Sequence, residues 1–188
     1  MTFTHTRLLT LAILSATLLA GTACSPTPPR PTFEAAAQNL FIPTNQAAAN
    51  VLLAQAKAKL LPDQPLIVAT LVDINALEKS STLGRLISEQ ISAMFSHTGH
   101  QMIEMKFRDN VYMKRNEGEL LLTREITAVA KQHNAQAVIV GTYAIASDVV
   151  FINLKVVQPN SNIVLAAHDY ALPLDSNLRA MLTGNNTR

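Results

Sequence analysis

The chain has 188 residues, 48% of them hydrophobic and 15% charged, with a single cysteine. Fifteen Lys and Arg against 13 Asp and Glu give a formal charge of +2, and no basic stripe argues for nucleic acid. One cysteine excludes a disulfide framework.

The first element is a leader. Arg7 precedes an apolar run from Leu8 to Ala20, and the small residues Gly21-Thr22-Ala23 lead into Cys24. This is the layout of a bacterial secretory signal over residues 1–23. The run is shorter than the ~20 residues needed to span a bilayer. A cysteine at the cleavage point is the acceptor for diacylglycerol and a further acyl chain, such as palmitate, in bacterial lipoproteins. At about 0.8 kcal/mol per buried CH₂, more than one chain makes anchoring stable. Thr22 and Ala23 fit the lipobox, whereas Gly21 stands where Leu is usual. A plain secretory signal with an incidental Cys24 is the other reading. Loss of Arg7 with the leader leaves 14 of the 15 basic residues against 13 acids, a charge of +1. Acylation of Cys24 also leaves no thiol for catalysis.

Residues 24–44 begin with Cys-Ser-Pro-Thr-Pro-Pro-Arg-Pro-Thr, a proline-rich tether. Prolines fix φ and favour extended polyproline II. An N-terminal helix is expected over 45–65, capped by Thr44, with Val51, Leu52, Leu60 and Leu61 as a rough apolar face and Pro62 and Pro65 ending it. The folded core, 66–174, starts with Leu66–Val72, a near-continuous apolar run that reads as one buried strand. Ser80-Ser81-Thr82 offers caps for a helix whose stripe is Leu83, Leu86, Ile87, Ile91, Met94 and Phe95, with Arg85, Ser88, Glu89 and Ser92 on other faces. Gly99 ends it. A second strand follows at about Gln101–Phe107. A charged loop spans 108–119. A helix from the Thr123 cap to about His133 turns Ile126, Val129 and Ala130 inward, and Asn134 suits its left-handed stop. Ala137–Tyr143 is the next buried strand.

From Val149 to Gln158 the pattern alternates. Val150, Ile152, Leu154 and Val156 share one face; Phe151, Asn153 and Lys155 take the other. Pro159-Asn160-Ser161-Asn162 is a turn, and Ile163–Leu172 is the last strand. The expected fold is α/β: a βαβαβββ mixed sheet with helices packed mainly on one face, preceded by the N-terminal helix. Right-handed crossovers are expected to put both core helices on that face, leaving the opposite face sparsely covered. The polar tail, 175–188, is expected to be disordered.

Candidate chemistry is sparse. His97 and His100 have H-x-x-H spacing near Glu104, but a zinc site needs three or four converging ligands and Gly99 breaks the helix between the two rings. His133 ends a helix in the same way, where a histidine is favourable. His168 and Asp169 are adjacent on a strand and so face opposite sides. Ser80-Ser81-Thr82 lacks the glycine pattern of a nucleophile elbow and reads as a cap. Gly141, alone in a strand, permits close packing. No catalytic, cofactor-binding or metal residue is assigned, and no small-molecule substrate is expected. The segment Lys106 to Glu119 is the long loop open to specific contacts.

Five segments carry a resemblance. They are Ser80–Arg85, Lys106-Phe107-Arg108-Asp109, Glu117–Arg124, Ala137–Tyr143 and Leu172-Pro173-Leu174. In this order, from Leu66 to Leu174, the chain resembles the FlgO family of flagellar outer-membrane lipoproteins. The resemblance implies a lipid-anchored protein on the periplasmic face of the outer membrane, with basal-body components as partners and a role in assembling or stabilising the ring there, and so in motility. It implies a fold similar to the TolB amino-terminal and CsgG-like α/β domains, which often form homo-oligomers. Cys24 is the one residue whose role carries over. Ser25 lacks the aspartate that signals inner-membrane retention. A regulatory or scaffold lipoprotein for a cell-wall synthase or a CsgG-like secretion assembly is the alternative, and a small periplasmic enzyme is the third reading.

Overall fold

The computed structural model describes residues 32–77, 79–105 and 127–184. The leader, Cys24, most of the tether, the charged loop and the Thr123 cap lie outside those residues. The chain divides into two compact units, Met1–Gln38 and Asn39–Arg188. In the first, α1 (Phe33–Ala37) is a single short helix with Glu34 in its first turn. All that follows concerns the second.

Its first helix, α2 (Phe41–Ala56), starts earlier and ends earlier than Thr44 and Pro62 suggested. The Asn39 carboxamide accepts from the Phe41 amide at 2.8 Å, and Pro43 falls in the first turn, where its missing N–H costs nothing. Thr44 lies inside the helix. The buried face is Asn45, Ala48, Ala49, Leu52 and Ala56, while Val51 and Leu61 are exposed. Of the expected apolar face Leu52 and Leu60 are buried, and the small residues Ala48, Ala49 and Ala56 make up the rest of the buried apolar surface.

The expected Leu66–Val72 strand is split. β1 (Leu66–Ala69) and β2 (Val72–Asp73) are separated by Thr70 and Leu71. The break is held by α3 (Thr82–His97), whose start and end match the sequence reading. Ser81 caps it, accepting from the Gly84 amide at 3.2 Å. Ser88, expected on an outer face, is buried instead. Its hydroxyl accepts from the Leu71 amide at 2.9 Å and lies 2.9 Å from the Gly84 carbonyl and 3.2 Å from that of Ala69. Ser80 donates to the Leu71 carbonyl at 2.7 Å. Those hydroxyls replace the ladder bonds that the interrupted strand gives up. Gly99, at φ +92°, takes the left-handed conformation that ends α3.

The remaining strands are β3 (Met102–Met105), β4 (Ala137–Ile145), β5 (Val149–Gln158) and β6 (Ile163–Pro173). A helix, α4, is described over 127–132, and Asn134 follows it at φ +50°, the left-handed stop read from sequence. The six-stranded sheet has the order β3-β1-β4-β5-β6, with β2 also beside β4. β1 runs parallel to β3 and β4, as β2 does to β4; β4, β5 and β6 form an antiparallel meander.

The fold class is the expected one, and most helices share one face. The core there joins Ala49 and Leu52 of α2 and Ile87, Ile91 and Phe95 of α3 to Leu66, Val68, Ile139, Ile152 and Leu154 of the sheet. The second crossover helix departs from the expectation. Ala130 of α4 packs with Ile67 and Val138, whose side chains alternate away from that core. The strand order gives the reason. The first crossover moves outward from β1 to β3, and the second returns past β1 to β4. Two right-handed crossovers in opposite directions put their helices on opposite faces.

The tail also differs. α5 (Ser176–Thr183) is capped by Asp175, which accepts from the Leu178 amide at 2.8 Å, and Leu178 is buried in the main core.

Candidate docking face

Strand alternation builds two contrasting faces on β4, β5 and β6. Val150, Ile152, Leu154 and Val156 are buried under the helices, as their spacing predicted. Tyr170 lies opposite Ile152 on the same side. Its hydroxyl donates to the Asn45 side-chain oxygen Oδ1 at 2.6 Å, and the Asn45 side-chain Nδ2 donates to Gln90 Oε1 at 2.6 Å. This relay ties β6 to α2 and α3 inside the core. Burial raises the Tyr170 phenol above its ordinary pKa. Tyr143, on the same face of β4, is raised mainly by burial as well.

The opposite face has three rows across β4, β5 and β6. They are Val140–Lys155–Ala167, Thr142–Asn153–Asp169 and Ala144–Phe151–Ala171. Phe151 is 55% exposed, and Ile74, from the turn after β2, is 53% exposed. With Thr142, Ala144, Asn153, Asp169 and Ala171 they line a shallow groove of about 410 Å³. The Asn153 amide donates to the Asp169 carboxylate inside it. An apolar concavity with a charged group in it is the form of a surface that receives a partner or a ligand. α4 covers the β1 end of this face, around Ile67 and Val138.

The other sequence candidates are dispersed. His97 is the last residue of α3, and His100 follows Gly99, with its ring 6.0 Å from that of Phe95. Among the described residues, no three His, Cys, Asp or Glu side chains group as a metal site. His168 stacks beside Tyr170 at 5.9 Å on the helix side, while Asp169 faces the groove, so the two do not meet. His133 follows α4 in a turn. Ser80 and Ser81 serve the strand break and the cap, as above. A Cβ at Gly141 would lie 2.8 Å from the Asn153 carbonyl oxygen and from Leu154 and Leu71 side-chain carbons, so close packing explains that glycine. Cys24 and the segment Lys106 to Glu119 lie outside the described residues.

Sequence reasoning missed Asn45, Ser88, Tyr170 and the Asn153–Asp169 pair. Alternation alone placed Asn153 on the open face, but its partner depends on the β5–β6 register.

No curated protein matches the chain in sequence. Among solved structures, it is similar to the LpoB C-terminal domain from Salmonella enterica, at 12% identity and TM-score 0.46 over 68% of this chain and 93% of that one. The LpoB C-terminal domain from Escherichia coli gives 8% and 0.47 over 68% and 96%. The PelC dodecamer from Paraburkholderia phytofirmans gives 11% and 0.41 over 61% and 74%. The family model described as FlgO protein matches residues 46–177, from within α2 to the start of α5, and the chain belongs to that family.

Proposed function

We propose that this protein is a non-enzymatic outer-membrane lipoprotein. It is anchored on the periplasmic face through acyl chains on Cys24. It helps assemble or stabilise the flagellar basal-body ring at the outer membrane, and so supports motility. The family match over residues 46–177 is the observation that carries this reading. The leader ending at the chain's one cysteine supports the anchor. The uncovered groove around Phe151 supports a role in contact with other protein surfaces, including further copies. Asn45 and Ser88, both buried under the helices, are engaged in holding the fold.

Two measurements test it. Cys24→Ser is expected to abolish acyl labelling and release the protein from the outer-membrane fraction; continued fractionation with no acyl chain would assign the anchor elsewhere. A deletion strain is expected to swim poorly and to show weakened basal structures by in-situ imaging of the motor. Normal rings and normal swimming would replace the flagellar role with that of a regulatory lipoprotein for a cell-wall synthase.

A further inference from the structure

We infer that the occupant of the open β4–β5–β6 face is the same face of a second copy, related by a twofold axis lying between the two sheets. This deepens the assembly part of the proposed function and rests on it.

The argument begins with charge. Asp169 of β6 and Lys155 of β5 share this face, and they are not directly opposite. Lys155 pairs with Ala167 and Asn153 with Asp169, so the acid and the base sit on a diagonal. Diagonal neighbours lie roughly 7–8 Å apart. A twofold axis passing between them, in the plane between the sheets, lays each Lys155 over the Asp169 of the other copy. Both pairs form at once, because an isologous contact that joins one residue to another also makes the reciprocal contact. One acid and one base make the patch complementary to itself. A partner of uniform charge would match one of them and repel the other.

The apolar part agrees. Phe151 and Ile74 are half exposed beside Ala144 and Ala171. Small residues flanking a protruding ring give a surface on which a second sheet can close. The Asn153 amide already holds the Asp169 carboxylate in place, which lowers the entropic cost of a new pair. Three strands at ~4.8 Å spacing make a narrow patch. It is small against the ~800 Å² per partner of a standard interface. The dimer is therefore weak in free solution. It becomes populated when chains are concentrated, as on a shared membrane surface.

Sedimentation of the full chain in detergent, from micromolar to millimolar concentration, tests this. Self-association is expected with a concentration-dependent weight average. Lys155→Glu and Asp169→Lys are each expected to weaken it by about tenfold or more, as like charges then face each other. The double variant carrying both substitutions is expected to recover association, since the pairs reform with reversed sign. Phe151→Asp is expected to abolish it. All three sites are on the uncovered face, so unchanged circular dichroism and thermal unfolding serve as the folding control. A monomer at millimolar concentration would overturn the proposal and leave the face to a different protein. Single reversals without effect, or a double variant no better than the singles, would overturn it equally. None of these outcomes alters the fractionation or imaging results, so the two readings fail separately.

Discussion

The Tyr170 hydroxyl ends a relay that crosses the core through Asn45 to Gln90. Removing it leaves the Asn45 oxygen buried without a donor. Tyr170→Phe is therefore expected to cost about 1–3 kcal/mol in denaturant unfolding. The same substitution should change the alkaline limb of stability. The folded state holds this phenol neutral, with its pKa raised by burial. Its contribution is fully present below the ordinary tyrosine value near 10. It declines as pH rises above that, because the unfolded chain releases a proton that the fold retains. The variant is expected to lose stability less steeply above that pH than the natural protein. Ser88→Ala is expected to cost a similar ~1–3 kcal/mol, since the buried Leu71 amide loses its acceptor. None of these roles was legible in the sequence. Asn45 and Tyr170 stand 125 positions apart, and only the folded register brings them together. Ser88 reads as a polar residue on an amphipathic helix until the strand opposite it is seen to break.

Elements were easier to find than their surroundings. The caps and stops of α3, the left-handed turn at Asn134 and the alternation of β5 are local rules, and each appears where its residues indicate. What the local rules did not carry was strand order, which put α4 on the face opposite α3. They also undervalued α5. Its composition is polar, but Leu178, Met181 and Leu182 recur at helical spacing and all reach the main core. Leu178→Ala is expected to cost about 2–5 kcal/mol by leaving a cavity beneath α5, and Asp175→Ala about 1 kcal/mol through loss of the cap. Equilibrium unfolding checks both. A chain ending after Leu174 should be less stable than either point variant.

At the scale of the whole molecule, the two compact units predict a sharp boundary for truncation. Removal of residues 1–38 takes away the first unit alone and is expected to leave the cooperative thermal transition in place. Removal of residues 1–60 also takes Ala49, Leu52 and Ala56 out of the core and is expected to abolish that transition. Calorimetry of the two truncated chains separates these outcomes. The loss of α2 would have a second effect, at the margin of the sheet. β6 is an edge strand, and α2 and the turn after it reach over to it. Gln55 accepts from the Ala167 amide at 3.1 Å, and Lys59 donates to the Leu165 carbonyl at 2.6 Å. Two side chains thus occupy backbone groups that an incoming strand would otherwise take. Association through a closed twofold face stops at two copies, whereas strand addition along a bare edge has no end point. With those two groups engaged, the β6 margin offers an incoming strand a shorter bare edge, and copies brought close together are steered away from strand addition on that side.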